Sequence, residues 1–174
     1  LPIGVFIISI STVLLTVLSK EQLNESKKTI NKRIDTAFLS ILCLSLLSMV
    51  GLLAISDLIV DILFKRGKFG LGDVFATSDA IVMYAIGLPA FGLVKIFSVI
   101  FFSKKNTFIP FVVSVISMLT NLLLILFLIE DMGHLGIALS LSLSGYLNAV
   151  ILYVILWKKN YWHFSKRLFY TFLK

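Results

Sequence analysis

The chain has 174 residues, of which 59% are hydrophobic and only 14% are charged, and its mean hydropathy is +1.03. Soluble globular domains are about 45–50% apolar and about 25% charged, so this composition excludes an ordinary water-soluble domain. The formal net charge is +7, but the basic residues lie at the ends of apolar runs, which excludes a soluble nucleic-acid-binding protein. The single cysteine, Cys43, excludes a disulfide framework.

Five apolar segments are long enough to cross a hydrocarbon core about 30 Å thick as helices. Short segments of alternating polarity, which a transmembrane β-barrel needs, do not occur in these blocks. The predicted fold class is therefore all-α, a polytopic transmembrane helix bundle. We place the spans at about 2–19, 36–64, 79–102, 108–129 and 134–157.

The two ends of the sequence predict a piece of a larger protein. The chain begins at Leu1-Pro2 without a methionine, and residues 158–174 form a basic, aromatic, interfacial segment that leads towards a further span. Trp and Tyr concentrate where membrane helices meet water. We therefore predict an aromatic belt after the fifth span, formed by Trp157, Tyr161, Trp162 and Phe164.

The basic residues of the loops predict the orientation. Cytoplasmic loops carry an excess of Lys and Arg. The first, third and last loops hold eleven basic residues against three in the second loop and none in the fourth, so the amino end lies outside. Of the three on the outer side, Lys65 and Arg66 are candidates for contact with an anionic headgroup, with snorkelling at the interface as the alternative.

Lys95 is the most informative polar residue in the apolar blocks. It lies about eight residues, or roughly 12 Å, from the cytoplasmic end of the third span. That depth is about twice the reach of a lysine side chain, so snorkelling is strained. We predict that Lys95 faces a hydrated cavity and binds a phosphate-bearing substrate; the alternative is a salt bridge to a carboxylate elsewhere.

The same span carries helix-breaking residues upstream of Lys95. Proline removes a backbone donor and clashes with the preceding turn, so a kink is expected between Tyr84 and Ala90. Bent helices in transporters line the transport path or absorb the movement between states. The predicted hinge consists of Gly87, Pro89 and Gly92.

Stripes of small and polar residues run along three other spans. The fifth span has Gly136, Ser140, Ser144 and Asn148 at four-residue spacing; the fourth has Ser114, Ser117 and Asn121; the first has Ser9, Thr12, Thr16 and Ser19. Such stripes favour either close helix packing or a wet interior of the bundle. On the second interpretation Asn121, Ser144 and Asn148 join Lys95 as substrate-binding residues.

No pattern in the sequence predicts catalysis, a bound metal or a cofactor. There is no nucleophile elbow, no zinc-binding helix motif and no glycine-rich phosphate loop. Asp57 and Asp61 lie one turn apart, but Asp61 also lies one turn before Lys65, so an interfacial ion pair is favoured over a cation site. The chain is not predicted to be an enzyme.

Several strings, taken in their order, resemble the MurJ/MviN lipid II flippases. They are Leu1-Pro2-Ile3-Gly4-Val5, Leu63-Phe64-Lys65-Arg66-Gly67-Lys68-Phe69, Gly87-Leu88-Pro89-Ala90-Phe91, Val94-Lys95, Phe101-Phe102-Ser103-Lys104-Lys105-Asn106-Thr107 and Gly133-His134-Leu135-Gly136-Ile137-Ala138, with Asn121, Asn148 and Tyr153. The resemblance covers nearly the whole chain.

This resemblance implies the two-lobed MOP superfamily architecture, with the chain supplying about five of fourteen transmembrane helices, helices eight to twelve, in the carboxyl lobe. It also implies a multi-pass protein of the bacterial cytoplasmic (inner) membrane that moves lipid II, the undecaprenyl-pyrophosphate-linked peptidoglycan precursor, by alternating access. The implied partners are lipid II, membrane lipids and the remaining helices of the same protein. The residues that grip the pyrophosphate would lie mostly outside this chain.

The sequence departs from the family pattern at Asn106, where an aspartate is usual, and at Ile109, where a threonine is common. In some members a sodium site uses the position of Asn121 and an acidic residue one turn later, which is Ile125 here. The alternatives to lipid II transport are a multidrug exporter of the MATE type, an O-antigen or polysaccharide flippase of the same superfamily, and a non-transporting membrane scaffold.

Overall fold

The computed structural model describes residues 7–21, 27–67 and 69–163, and in these ranges the chain is all-helical. The helices are α1 (Ile8–Glu21), α2 (Lys27–Phe64), α3 (Leu71–Ile86), α4 (Leu88–Ser103), α5 (Phe108–Met132) and α6 (His134–Lys158). The predicted all-α fold class is confirmed. Residues 2–6 of the first predicted span, Phe164 of the aromatic belt and the rest of the segment that leads towards a further span lie outside the described residues.

Four helical stretches are long and apolar enough to cross a membrane: Thr29–Phe64, Leu71–Ser103, Phe108–Met132 and His134–Lys158. Ile8–Ser19 is a shorter apolar helix. With 38 residues, α2 is roughly 57 Å long, well beyond the apolar core of a bilayer. A helix of this length therefore extends past the hydrocarbon, and its first turns hold the charged residues Lys32 and Arg33.

Helix α4 lies at the centre of the described structure. It packs against α1 and α2 on one side and against α6 on the other, whereas α5 packs almost entirely on α6. Glycine permits the closest approach to α2, because a Cβ added to Gly92 would lie 2.9 Å from Ile41 Cγ2. Most of α4 is buried, and Lys95 and Phe102 are exposed on its remaining face.

The third predicted span consists of two helices, since regular hydrogen bonding is interrupted at Gly87 between α3 and α4. Pro89, in the first turn of α4, has no N–H to donate to the preceding turn. Two side chains of α6 donate to carbonyls at the end of α3: Ser142 Oγ to Met83 O at 2.6 Å and Tyr146 Oη to Ile86 O at 2.8 Å. Helix α6 therefore holds the break in place.

One tryptophan ties the segment that follows α6 to α2 and α4. Trp162 is 1% exposed, and its indole N–H donates to the Asp35 carboxylate of α2 over 2.7 Å. Its ring also lies 5.3 Å from that of Phe38 and 6.1 Å from that of Phe97. The assignment of Trp162 to an interfacial belt was therefore wrong, because its N–H finds an acceptor inside the bundle.

The carboxyl end of α2 contains the ion pair predicted from the sequence. Lys65 Nζ lies 2.6 Å from Asp61 Oδ1, which confirms that interpretation. Asp57 instead accepts a hydrogen bond from Ser78 Oγ and ties α2 to α3. The two carboxylates therefore have separate partners.

Replacing Trp162 by phenylalanine keeps an aromatic ring but removes the donor to buried Asp35. We expect Trp162→Phe to destabilise the full-length protein by about 1–3 kcal/mol, the usual cost of a buried group left without its partner. Thermal unfolding in detergent measures this effect. The matched control is Trp157→Phe, at an exposed tryptophan of α6; equal unfolding temperatures for the two variants would contradict the assigned role of Trp162.

A close crossing of α5 and α6 depends on Gly136, where an added Cβ would lie 2.6 Å from the Leu128 carbonyl oxygen. We expect Gly136→Ala to lower the unfolding temperature of the full-length protein, since the two helices must separate. Gly51→Ala is the control, because no atom lies within 4 Å of a Cβ there. An unfolding temperature for Gly136→Ala at or above that of the control would show that this crossing is not tight.

Candidate functional site

A groove lies between α4, α5 and α6 and has a volume of about 260 Å³. We call it the amide groove. Its polar lining consists of Ser114, Ser117 and Asn121 from α5 and Ser144 and Asn148 from α6, and the rings and alkyl groups that complete it include Phe91 and Val94 of α4.

The groove lies where α5, which packs closely on α6, makes few contacts with α4. Gly136 of α6 lies against Leu128 of α5. Phe91 borders the groove and packs onto α6, since a Cβ on Gly145 would lie 2.7 Å from its ring. The sequence offered two roles for these stripes, close helix packing and the lining of a cavity, and the α6 stripe has both. It packs against α5 at Gly136 and lines the groove at Ser144 and Asn148.

Three buried oxygen atoms of the amide groove find no hydrogen-bond partner among the described residues: Ser117 Oγ, Asn121 Oδ1 and Asn148 Oδ1. Asn148 is only 8% exposed and Ser117 only 7%. Buried polar groups in proteins almost always have a partner, because leaving one unpaired costs about 1–3 kcal/mol. These three oxygens are thus enclosed by the described residues but left unpaired by them.

Most other hydroxyl groups in the apolar helices bond to their own helix. Thr12, Thr16 and Ser19 of α1 each donate to the carbonyl four residues earlier. Ser140 and Ser144 of α6 donate to the carbonyls of Ile137 and Leu141. Such bonds satisfy a hydroxyl group without a second helix. An asparagine carboxamide has more bonding capacity to fill, and for this reason Asn121 and Asn148 stand out from the stripes.

Lys95 lies on the exposed face of α4. Val94 before it and Phe91 one turn earlier border the amide groove, whereas Lys95 is not among the residues that line it. It is exposed and forms no hydrogen bond or ion pair with the part of the chain that the structure describes. Lys95 therefore forms no salt bridge to a carboxylate within the described ranges, which was the alternative considered from the sequence.

Lys95, Ser117 and Asn148 lie at similar distances from one end of their helices. Counting 1.5 Å per helical residue from Ser103, Phe108 and Lys158, they lie about 12, 14 and 15 Å along the helix axes. Asn121 and Ser144 lie roughly 20 Å from the same ends.

The hinge residues Gly87, Pro89 and Gly92 are all buried. A Cβ on Gly87 would lie 2.6 Å from Ser142 Oγ, so this glycine permits α6 to approach the break. Gly92 permits the approach of α2. The structure therefore assigns both glycines a packing role, and movement about them is a separate proposal.

Lys65 and Arg66, the two candidates for contact with a headgroup, differ in their surroundings. Lys65 is held by Asp61, whereas the exposed Arg66 forms no ion pair with a described residue. An exposed ion pair contributes about 0–1 kcal/mol, so it does not hold Lys65 permanently. Of the two, Arg66 is the freer to contact an anionic headgroup.

Sequence reasoning did not identify the residues that hold the helix break or complete the groove. Ser142 and Tyr146 alternate with the α6 stripe and look like ordinary membrane-helix residues until α3 is placed beside them. Ser117 belongs to the α5 stripe but is not among the predicted site residues. Its position four residues before Asn121 is the pattern that could have identified it.

The family described as "Lipid II flippase MurJ" matches residues 1–174 of this chain. The chain is 32% identical over 152 residues to the lipid II flippase MurJ of Thermosipho africanus, which covers 87% of this chain and 31% of the relative. It is 33% identical over 166 residues to the probable lipid II flippase MurJ of Rhizobium meliloti, which covers 93% of this chain and 30% of the relative. It is also 36% identical over 151 residues to the probable lipid II flippase MurJ of Buchnera aphidicola subsp. Acyrthosiphon pisum, which covers 87% of this chain and 30% of the relative.

The chain therefore spans less than a third of the length of these relatives. The family match confirms the resemblance to the MurJ/MviN flippases. Because several of its apolar helices are long enough to span a membrane, the chain is part of a multi-pass membrane protein. It belongs to the lipid II flippase MurJ family.

Proposed function

We propose that the protein containing this chain moves lipid II, the undecaprenyl-pyrophosphate-linked peptidoglycan precursor, across the bacterial cytoplasmic membrane for cell-wall synthesis. The proposal is supported by family membership and by the names of the relatives, which are flippases and not enzymes. Lipid II and membrane lipids are the proposed partners, together with the remaining helices of the same protein.

The observation that carries this proposal is the position of Lys95. Its ammonium group is exposed on α4 with no partner among the described residues. A charged group deep in a membrane helix is costly unless it faces water, protein or a charged ligand. A pyrophosphate is such a ligand, and lysine binds phosphate as a point charge.

In this proposal the open side of α4 forms part of the wall of a transport cavity. Lys95 attracts the pyrophosphate, while Asn121, Ser144 and Asn148 line the neighbouring amide groove. The bend at Gly87, Pro89 and Gly92 absorbs the change between inward-open and outward-open states. At the outer surface, Arg66 and, when released from Asp61, Lys65 contact the emerging headgroup.

Removing the charge of Lys95 tests the proposal directly. We expect Lys95→Ala in the full-length protein to lower lipid II transport in proteoliposomes by about tenfold or more, since loss of roughly 1.4 kcal/mol of binding is tenfold in affinity. Lys95→Arg, which keeps the charge, should retain more activity than Lys95→Ala.

The matched control is Lys104→Ala, which removes an equal charge from the exposed end of the same helix. It should leave transport unchanged. If Lys95→Ala, at wild-type protein levels, transports lipid II as well as Lys104→Ala does, Lys95 has no part in the mechanism.

A further inference from the structure

Two hydroxyl groups of α6, Ser142 Oγ and Tyr146 Oη, hold the break between α3 and α4, and we call them the α6 clamp. They lie four residues apart, so they share one side of the helix. The carbonyl groups that accept from them, those of Met83 and Ile86, belong to the last turn of α3. The clamp therefore contacts the turn of α3 that ends at the break.

The break leaves these carbonyl groups in need of donors. In a continuous helix the Met83 carbonyl would accept from the N–H of Gly87, four residues later. That N–H bonds instead to the Tyr84 carbonyl over 3.0 Å. Ile86 is the last residue of α3, and the last carbonyls of a helix have no partner within it. The clamp thus supplies from another helix the donors that the interrupted helix lacks.

Helix α6 also contacts the other side of the break. A Cβ added to Gly145 would lie 2.7 Å from the ring of Phe91 and 3.6 Å from the Cβ of Ala90, both near the start of α4. Gly145 lies three residues after Ser142 and therefore on the same side of α6. One side of α6 thus holds the end of α3 by hydrogen bonds and the start of α4 by close packing.

Lys95 lies one turn beyond the contact of α6 with Phe91. No described residue bonds to Lys95, so the direction of α4 determines where its ammonium group lies. Lys95 is eight residues, or roughly 12 Å, from Gly87, so each 10° of bend at the break moves it by about 2 Å relative to α3. In enzymes, a misplacement of about 1 Å can cost roughly a hundredfold in rate. The angle of the break is therefore important for any group that Lys95 binds.

We propose that Ser142 and Tyr146 are positioning residues for lipid II transport, which set the angle between α3 and α4 and thereby the place of Lys95. This inference rests on the proposed function, in which Lys95 binds the pyrophosphate. It extends that function to two residues of α6 that form no hydrogen bond with Lys95.

The clamp restricts the bend without preventing it. Ser142 is 0% exposed, and its Oγ lies 2.6 Å from the place of a Cβ on Gly87, so this half is enclosed. Tyr146 is 37% exposed and donates from the edge of the contact. A hydrogen bond between uncharged groups is weak enough to break and form again during a transport cycle. Tyr146 is therefore the half that movement at the break releases first.

The first test measures the angle of the break. In full-length protein whose native cysteines have been replaced, Phe75→Cys in α3 and Phe102→Cys in α4 carry spin labels at exposed positions. We expect Tyr146→Phe, which removes only the hydroxyl group, to broaden the distribution of distances between the labels. The matched control is Tyr153→Phe, because Tyr153 is also 37% exposed on α6 and its hydroxyl group bonds to no described residue. Equal widths for the two variants would overturn the clamp.

The second test asks whether the clamp acts through Lys95. We expect Tyr146→Phe to lower lipid II transport in proteoliposomes by about fivefold, within the range that one hydrogen bond accounts for. Tyr153→Phe should leave transport unchanged. In protein that already carries Lys95→Ala, Tyr146→Phe should lower transport no further, because the group that it positions is gone. About a tenth of wild-type transport is expected in Lys95→Ala, so a further fivefold loss would be detected.

Ser142→Ala is the second variant and should depend on Lys95 in the same way. Its matched control is Ser140→Ala, since Ser140 is also 0% exposed but donates only within its own helix. Equal fold losses with and without Lys95→Ala would overturn the positioning role and leave the proposed function intact. Transport by Tyr146→Phe equal to that by Tyr153→Phe would overturn it as well. Wild-type protein that transports no lipid II would remove the proposed function itself.

Discussion

The structure depends on the need of every polar group in an apolar helix to find a partner. Water is absent from the hydrocarbon core, so a broken turn or a carboxamide must be satisfied by protein, by a ligand or by water in a cavity. Helix α6 meets this need for the interrupted span, where Ser142 and Tyr146 donate to the carbonyls of Met83 and Ile86. Trp162 meets it for Asp35 near the start of α2.

The described part of the chain does not meet that need everywhere. Three buried oxygens without a partner among the described residues, Ser117 Oγ, Asn121 Oδ1 and Asn148 Oδ1, belong to residues that line the amide groove. Leaving a polar group unpaired in an apolar helix is costly. Side chains of α6 thus complete the break between α3 and α4, whereas the polar groups around the groove are not all paired by the described residues.

Much of the fold was predictable because membrane insertion imposes strong rules on composition. The apolar blocks predict helices, the family strings predict the bundle, and the spacing of Asp61 and Lys65 predicts their ion pair. What could not be predicted is which helix faces which. Trp162 follows a long apolar helix and carries an amphipathic ring, so it resembles a belt residue, and only the position of Asp35 shows that it is buried. In the same way, Ser144 and Asn148 belong to one stripe with Gly136, and only the placement of the neighbouring helices shows that Gly136 lies against Leu128 while Ser144 and Asn148 line the groove.

The central claim is that water reaches Lys95 in the membrane-embedded protein. It is tested most directly by placing a cysteine at this position in full-length protein whose Cys43 has been replaced by alanine, and by measuring the rate of labelling with a membrane-impermeant maleimide in membrane vesicles. The reference is Ile96→Cys, at the adjacent residue, which is buried between helices. The account predicts rapid labelling of Lys95→Cys that lipid II slows, and labelling no faster than that of Ile96→Cys would contradict it.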